Sequence, residues 1–266
     1  MRHSSRSVPT PVSVQVHCGP SRDHHVVFQP AGGSLVTVIL LPGSGRTDVD
    51  GTYCSKKTQR DLAISLSCRG ISSIRFSKRP TSPRDALDYL DEYLVPMQAA
   101  LREAPSYIDP APLVLVGHSL GGHILPMASL VLGNRVVAGV LLNAPYRSLQ
   151  STIRWQAESY LSNWSTAAFT LPDRYSRLAA TYSPLLALQQ RPLPILVVSS
   201  GLDALVHPGD ADSWEASGSF VERLNFPDLD HFLVKRRERS VANQTLPGEI
   251  STDLLDSVSA WIKRAC

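Results

Sequence analysis

The stretch that most constrains the fold of this chain is Leu-Val-Leu-Val-Gly-His-Ser-Leu-Gly-Gly-His, which begins at Leu113. Its four successive apolar residues predict a strand buried on both faces, and the pattern from Leu120 onward predicts a helix. The glycines two residues before and after Ser119 predict a sharp turn, since a Cβ at either position would collide where strand and helix pack. Such a turn lifts the serine hydroxyl above the end of a sheet, beside the unpaired N–H groups of the helix start.

A serine hydroxyl attacks a carbonyl only with help from a base whose orientation is fixed by an acid. Among the eight histidines, His231 is the best candidate base because it follows the last predicted strand and a turn, from which a loop can reach Ser119. His207 is the rival, although it lies close in sequence to the best candidate acid. His118 and His123 adjoin the serine, and we expect the His118 side chain to point away and His123 to be packed.

Asp203 is the best candidate acid because it comes just after a buried strand, in Ser-Ser-Gly-Leu-Asp-Ala-Leu-Val. The alternative acid position, after the preceding strand, holds Asn143 and offers no carboxylate. The order serine, aspartate, histidine is the one expected for this kind of turn. Four other aspartates have structural explanations, since two fit the first turn of a helix and two crowd the turn of the candidate histidine: Asp210, Asp212, Asp228 and Asp230.

Two N–H groups must stabilise the negative oxygen that forms when a serine attacks a carbonyl. The Leu120 N–H, at the helix start, is predicted to be one. The second is predicted to be the Ser44 N–H, within the Pro-Gly-Ser-Gly that follows a buried strand, because glycines let the backbone approach a substrate closely. A simple tight turn is the alternative. A phosphate-binding loop is disfavoured because the stretch lacks Gly-Lys-Ser/Thr and no helix starts directly after it.

Strands alternate with helices along the 266 residues, which predicts one α/β domain with a mostly parallel sheet covered on both faces. Such sheets bind ligands at the carboxyl ends of their strands, where all the candidates lie. We predict strands over 12–17, 24–29, 35–41, 71–76, 113–116, 136–142, 194–198 and 220–226, and helices over 57–69, 84–103, from 120, and over 254–262.

The alternation breaks once, at 146–191, where an aromatic-rich and largely helical segment stands between two strands. We predict that this segment is a small helical cap inserted into a core formed by 1–145 and 192–266. It would give the pocket an apolar wall suited to an apolar acyl group. A crossover that only packs against the core is the alternative.

Composition excludes several classes of protein. The net charge of +3 is too small to indicate nucleic-acid binding, and the basic run that begins at Lys235 reads as a solvated loop. The four cysteines have no metal-ligand spacing, which predicts reduced thiols and no metal. The N-terminus has no apolar signal region and no run approaches the ~18 apolar residues of a membrane span. These features predict a cytoplasmic protein.

The same residues resemble the α/β-hydrolase superfamily, and within it a group of bacterial esterase-like hydrolases. The oxyanion loop of that group reads Gly-Ser-Gly-Pro-Thr-Asp-Arg-Asp-Gly, and this chain has Gly43-Ser-Gly-Arg-Thr-Asp-Val-Asp-Gly51. Two departures border the expected pocket: Arg46 and Val49 replace the usual proline and arginine, and Pro80 replaces a glycine after the fourth strand. The likeness continues in Gly117-His-Ser-Leu-Gly-Gly122, Asn143-Ala-Pro-Tyr-Arg-Ser-Leu, Gly201-Leu-Asp-Ala-Leu-Val206 and Asp228-Leu-Asp-His-Phe232.

The resemblance implies an α/β-hydrolase fold with a helical cap, and an enzyme that needs no cofactor. It does not specify a substrate, because members include carboxylesterases, thioesterases, dienelactone-type hydrolases and peptidases. We therefore predict a serine hydrolase that acts on a small ester or thioester with an apolar acyl part, with Ser119 as nucleophile, His231 as base and Asp203 as orienting acid. An acyltransferase or cyclase with the same three residues is one alternative, and a non-catalytic binding protein is the other.

Overall fold

The structure is a computed structural model that describes residues 12–16, 24–29, 31–32, 34–45, 47–78, 91–103, 111–160 and 182–266. The strands in chain order are β1 (Val12–Val16), β2 (His24–Gln29), β3 (Thr37–Leu41), β4 (Thr52–Tyr53), β5 (Lys56–Lys57), β6 (Ser72–Phe76), β7 (Leu113–His118), β8 (Val136–Leu142), β9 (Ile195–Ser200) and β10 (Val221–Phe226). The helices are α1 (Thr58–Cys68), α2 (Asp91–Glu103), α3 (Leu120–Leu132), α4 (Leu149–Tyr160), α5 (Pro184–Gln190), α6 (Gly209–Glu215) and α7 (Thr252–Ala265).

Eight of these strands form one mostly parallel sheet, which confirms the predicted fold class. Its strand order is β1-β2-β6-β3-β7-β8-β9-β10. Strand β2 is antiparallel to both of its neighbours, and every pair from β6 to β10 is parallel. The carboxyl ends of the parallel strands therefore meet at one edge of the sheet. Because Leu41 pairs with Gly117, the loop after β3 emerges beside the turn that carries Ser119.

Alternate residues of the central strands pack into two hydrophobic clusters, one on each face of the sheet. In β3, Ile39 and Leu41 join the cluster that also contains residues of α2, α3 and α6. Val38 and Leu40 join the other cluster, which contains residues of α1 and α7. Burial on both faces explains why these strands read as continuous apolar runs rather than as alternating patterns.

Most predicted elements are found within a few residues of their predicted bounds, with three differences. Strand β3 begins at Thr37, because the ladder to β7 starts there and Leu35 is exposed. Helix α7 extends to Ala265, beyond the predicted stretch. The hairpin of β4 and β5 was not predicted, since strands of two residues leave no periodicity to detect. Of the helix predicted over 84–103, residues 84–90 lie outside the described part.

The predicted cap lies partly outside the described residues, which include 146–160 and 182–191 but not 161–181. Within it, α5 packs against α3, and the buried Tyr182 hydroxyl donates a hydrogen bond to the His123 carbonyl at 3.1 Å. The division into a core and a cap remains a prediction. Across the described ranges, the helices are too short or too polar to span a membrane.

Candidate active site

Ser119 lies at the junction of β7 and α3 in a backbone conformation that few residues adopt. Its φ is 55° and its ψ is −123°, a region that costs a non-glycine residue about 1–3 kcal/mol and is common at functional sites. A Cβ on Gly117 would lie 2.5 Å from the carbonyl of Gly121, so the glycines are required by the close packing of strand and helix. The Ser119 N–H donates to the Leu142 carbonyl at 2.9 Å, which fixes the turn to the end of β8.

Asp203 and His231 come from the loops after β9 and β10 and meet in a direct hydrogen bond. His231 Nδ1 lies 2.8 Å from Asp203 Oδ2, and both side chains are buried. The other carboxylate oxygen, Asp203 Oδ1, accepts the backbone N–H groups of Leu205 at 2.7 Å and Val206 at 3.1 Å. The aspartate is therefore held on one side by its own loop, and its free direction faces the imidazole.

The backbone carbonyl of His231 is held by two buried side chains from neighbouring strand ends. His118 Nε2 lies 2.8 Å from this oxygen, and Asn143 Nδ2 donates to it at 3.1 Å. Burial is the main cause that lowers the pKa of His118 to about 3, and the nearby His231 contributes to this shift. The His118 ring is thus neutral at pH 7, and the nitrogen that faces the carbonyl carries the proton. We call this pair of side chains the His231 clamp.

The prediction that His118 points away from the site is wrong. Its ring lies 4.8 Å from the His231 ring, centroid to centroid, and it lines the same cavity as Ser119. The physical reason is that the loop after β10 crosses the end of β7, and the buried carbonyl of His231 in this loop requires a hydrogen-bond donor. Asn143, which was considered only as a missing acid, also donates to the Asp230 carbonyl at 3.2 Å and to Ser200 Oγ at 2.9 Å.

The turn around His231 is shaped by Asp230 and by part of the basic run. Asp230 Oδ1 accepts the N–H groups of Phe232 at 2.8 Å and Val234 at 3.1 Å, while Oδ2 accepts Nε of Arg236 at 2.8 Å. A carboxylate that accepts three hydrogen bonds has a structural role here, as expected for an acid in the histidine's own turn. The prediction of a solvated loop is wrong for Arg236, because its guanidinium is largely buried against Asp230.

Of the two residues predicted to supply oxyanion donors, Leu120 follows Ser119 in the chain and Ser44 lies on the same cavity wall. The first backbone hydrogen bonds of α3 run from the N–H groups of Gly122 and His123 to the Ser119 carbonyl. The Leu120 N–H precedes these bonds and therefore has no acceptor within the helix. Ser44 lines the cavity that contains Ser119. A Cβ on the preceding Gly43 would lie 3.5 Å from the Ser119 Cβ, which shows how closely this loop approaches the serine.

A buried tyrosine bonds to the loop after β3, and a buried lysine lies beside that tyrosine. The Tyr93 hydroxyl, from α2, donates to the Gly43 carbonyl at 3.0 Å. Lys78 Nζ lies 3.4 Å from that hydroxyl and 3.7 Å from the Glu92 carboxylate. Burial lowers the pKa of Lys78 to about 8, although Glu92 opposes this effect. Sequence reasoning did not find Tyr93, because a tyrosine in the apolar stripe of a helix reads as core.

The cavity above Ser119 has a volume of about 530 Å³, which is within the range of small-molecule sites. Its wall combines apolar residues with neutral polar ones, and none of its described residues is an aspartate, glutamate, lysine or arginine. Besides Ser119, Ser44 and the two histidines, the described residues that line it are Pro42, Gly43, Gly45, Thr47, Gly51, Tyr53, Thr58, Gln59, Gln156, Leu205, Phe232, Val241 and Gln244.

The hairpin that the sequence did not predict contributes Tyr53 to the cavity wall. The Tyr53 ring stacks on Phe232 with centroids 5.3 Å apart. Lys56 Nζ lies 4.7 Å above the same Phe232 ring and donates to the carbonyl of Gln244 at 2.6 Å. Apolar surface was predicted to come from the cap aromatics, but the described ones, such as Trp155, do not line the cavity.

The rival candidates are not brought to Ser119. The Nδ1 of His207 accepts the N–H of Gly209, and its ring packs against Trp155. Asp210, predicted in the first turn of a helix, is found there at the start of α6. It is buried in an ion pair with Arg147, 2.9 Å between Nε and Oδ1. His123 is fully buried, with Nδ1 3.0 Å from the Pro145 carbonyl.

Several proteins that are similar to this chain are esterases by name. Esterase EstD of Thermotoga maritima is 24% identical over 271 aligned positions, which cover 89% of this chain but 64% of that protein. The chain thus spans less than two thirds of the length of this relative. Among solved structures, an esterase of Pyrococcus furiosus superposes with a TM-score of 0.66 at 17% identity, covering 96% of this chain and 90% of that one. Est1E from Butyrivibrio proteoclasticus gives a TM-score of 0.66 at 12% identity, covering 95% and 98%.

The structural neighbours have low sequence identity and therefore establish the fold alone. A match to a family model is independent of them. Residues 16–243, most of the chain, match the model described as the alpha/beta hydrolase family. The match includes the turn at Ser119 and the loops that carry Asp203 and His231. The chain belongs to the α/β-hydrolase family.

Proposed function

We propose that this protein is a serine hydrolase that cleaves a carboxylic ester or thioester through an acyl-enzyme on Ser119. The observation that carries the proposal is the 2.8 Å hydrogen bond between His231 Nδ1 and Asp203 Oδ2, with His231 and Ser119 on the wall of one cavity. The esterase names of the similar proteins support an ester substrate. The thioester alternative rests on the residues alone.

In the first half-reaction, Ser119 Oγ attacks the substrate carbonyl while His231 takes the hydroxyl proton. Because Asp203 accepts a hydrogen bond at His231 Nδ1, it fixes the tautomer in which the other ring nitrogen is free to act as base. The imidazolium that forms is stabilised by the same carboxylate. It then gives the proton to the leaving alcohol or thiol, and the acyl group remains on Ser119.

The negative oxygen of the tetrahedral intermediate is stabilised by the N–H groups of Ser44 and Leu120. Donors of this kind are effective because they are already oriented, and the loss of one typically costs about 3 kcal/mol of transition-state stabilisation. Tyr93 helps to orient the Ser44 loop through the Gly43 carbonyl. In the second half-reaction, water activated by His231 releases the acid.

The nucleophile is tested with a fluorophosphonate probe and a panel of p-nitrophenyl esters. We expect covalent labelling of the wild type and none of Ser119→Ala, with turnover reduced by about 10⁴-fold or more. Wild-type turnover by a correctly folded Ser119→Ala would exclude the mechanism. Adding acyl thioesters of graded chain length to the panel distinguishes an esterase from a thioesterase.

The base is tested by a matched pair of histidine substitutions. His231→Ala should abolish turnover, whereas His207→Ala should retain it, because His207 contacts Gly209 and Trp155 rather than Ser119. Circular dichroism of both variants controls for folding. The opposite result would assign the base to His207.

A further inference from the structure

Two polar residues in the cavity wall have buried atoms that find no hydrogen-bond partner. Gln59, at the start of α1, is 2% exposed, and its Oε1 has no partner. Thr47, in the loop after β3, has a buried Oγ1 that likewise has none. Both residues line the cavity that contains Ser119. Because buried polar groups are nearly always paired, each exception in a native structure calls for a specific explanation.

Neither residue is placed by chance, because a tightly bonded turn lies between them in the chain. Asp48 Oδ1 accepts the N–H groups of Asp50 at 3.1 Å and Thr52 at 2.9 Å. The Asp50 carbonyl accepts the Gln59 N–H at 3.1 Å, so the turn also holds the first turn of α1. The wall is therefore built before any ligand arrives, as a recognition site requires.

Glycine at position 51 brings this turn against the Gln59 side chain. Gly51 has φ +67°, and a Cβ there would lie 2.5 Å from the Gln59 Cγ. The glycine thus allows the backbone to close over Gln59 and restricts where its amide can go. The Gln156 amide, in the same wall, differs from Gln59 because it already donates to the Leu205 carbonyl at 2.7 Å.

The chemistry of the two residues indicates the group they would bind. An amide and a hydroxyl each offer both donors and acceptors. A hydroxyl group of a substrate can donate to the Gln59 amide oxygen, or accept from the amide nitrogen if the amide is flipped. The same substrate hydroxyl can accept a hydrogen bond from the Thr47 hydroxyl.

We propose that Thr47 and Gln59 form a subsite that binds a neutral hydroxyl group of the ester, carried by either its alcohol part or its acyl part. The proposal rests on the proposed function and specifies its substrate class: hydroxylated esters. An ester that lacks the hydroxyl leaves these two groups unpaired when it fills the cavity. Sites built to bond a hydroxyl reject analogues without it more strongly than apolar pockets reject a missing methylene.

The test compares esters in which a methyl group replaces the hydroxyl, with hydrolysis followed in a pH-stat. One arm uses ω-hydroxyalkyl butyrates of graded length against the matching n-alkyl butyrates, and the other uses ethyl β-hydroxybutyrate against ethyl isovalerate. We expect kcat/KM to favour the hydroxylated ester by about tenfold or more in at least one arm, and that arm identifies which part carries the hydroxyl. A ratio near one in both arms overturns the proposal.

Two nearly isosteric variants test the assignment to these residues. Thr47→Val and Gln59→Met should each lower the ratio severalfold toward one, while the control Gln244→Met, on another element of the same wall, should leave the ratio as it is. An unchanged ratio in both test variants, or an equal fall in the control, overturns the assignment. Fluorophosphonate labelling of Ser119 is measured in parallel. If the wild type is labelled and hydrolyses both esters equally, only the subsite is contradicted. If the wild type hydrolyses none of the esters, the proposed function is contradicted.

Discussion

The buried His118 makes a quantitative prediction about stability in acid. Its pKa is about 3 in the folded protein, compared with about 6.5 for an exposed histidine. Between these values the unfolded chain binds a proton that the folded protein does not, so unfolding becomes more favourable as the pH falls below about 6.5. At pH 5 this difference costs about 2 kcal/mol of folding free energy, a factor of about 30 in the equilibrium constant.

The perturbation is His118→Gln, which removes the titrating ring but places an amide nitrogen where the ring Nε2 donates to the His231 carbonyl. Urea unfolding followed by tryptophan fluorescence at pH 7.5 and pH 5 gives the free energy of unfolding of each protein. We expect the wild type to lose about 2 kcal/mol more than the variant between the two pH values. Other titrating groups, including the buried His123, are common to both proteins and cancel in the comparison.

His118→Phe is the matched control, because it keeps a planar ring but has no donor. We expect it to lose about 1 kcal/mol at both pH values, since the His231 carbonyl keeps its bond to Asn143 and is not left unpaired. If the wild type and His118→Gln lose stability in parallel from pH 7.5 to pH 5, His118 titrates normally. The reasoning that makes it a neutral, buried donor to the His231 carbonyl would then be refuted.

Substitutions at two further positions test how the proposed catalytic groups are held in place. Both Asn143→Gly and Asn143→Ala remove the amide that donates to the His231 carbonyl, and we expect each to lower kcat about tenfold with little change in KM. Asn143 has φ 47°, so the glycine variant relieves backbone strain that the alanine variant retains. We therefore expect the alanine variant to be the less stable of the two by about 1 kcal/mol in urea unfolding. Wild-type kcat in both variants would show that His231 needs no second donor. Tyr93→Phe removes the donor to the Gly43 carbonyl, and we expect about tenfold lower kcat/KM with an unchanged circular dichroism spectrum; equal kinetics would show that the Ser44 loop holds its shape unaided.

The parts of this molecule that the sequence predicts are those with a local signal. The turn at Ser119 is encoded by glycines whose Cβ atoms would collide with neighbouring backbone. Asp203 and His231 follow strands whose apolar runs mark their ends, and parallel strands bring those ends to one edge. The two residues are 28 positions apart, and no local motif pairs them. Their hydrogen bond was predictable because each residue follows a strand that ends at the same edge of the sheet.

The parts that could not be predicted depend on partners that leave no pattern. The His118 ring bonds to a backbone carbonyl 113 residues away, and every residue type presents a carbonyl. Tyr93 has the spacing of a core residue, and its ring is fully buried, so only the structure reveals where its hydroxyl points. The hairpin that begins at Thr52 is too short for periodicity, although its Tyr53 lines the cavity.

The positions of these residues separate Asp203 and His231 from the proposed recognition surface. The His231 clamp is built from the ends of β7 and β8, whereas Thr47 and Gln59 belong to the loop after β3 and to α1. The two sets share the cavity, but no hydrogen bond of Asp48, Asp50 or Gln59 among the described residues reaches the clamp. Substitutions in one set should therefore be nearly additive with those in the other. Substitutions in the wall on the α1 side should therefore change the substrate preference while the geometry of Asp203 and His231 stays the same.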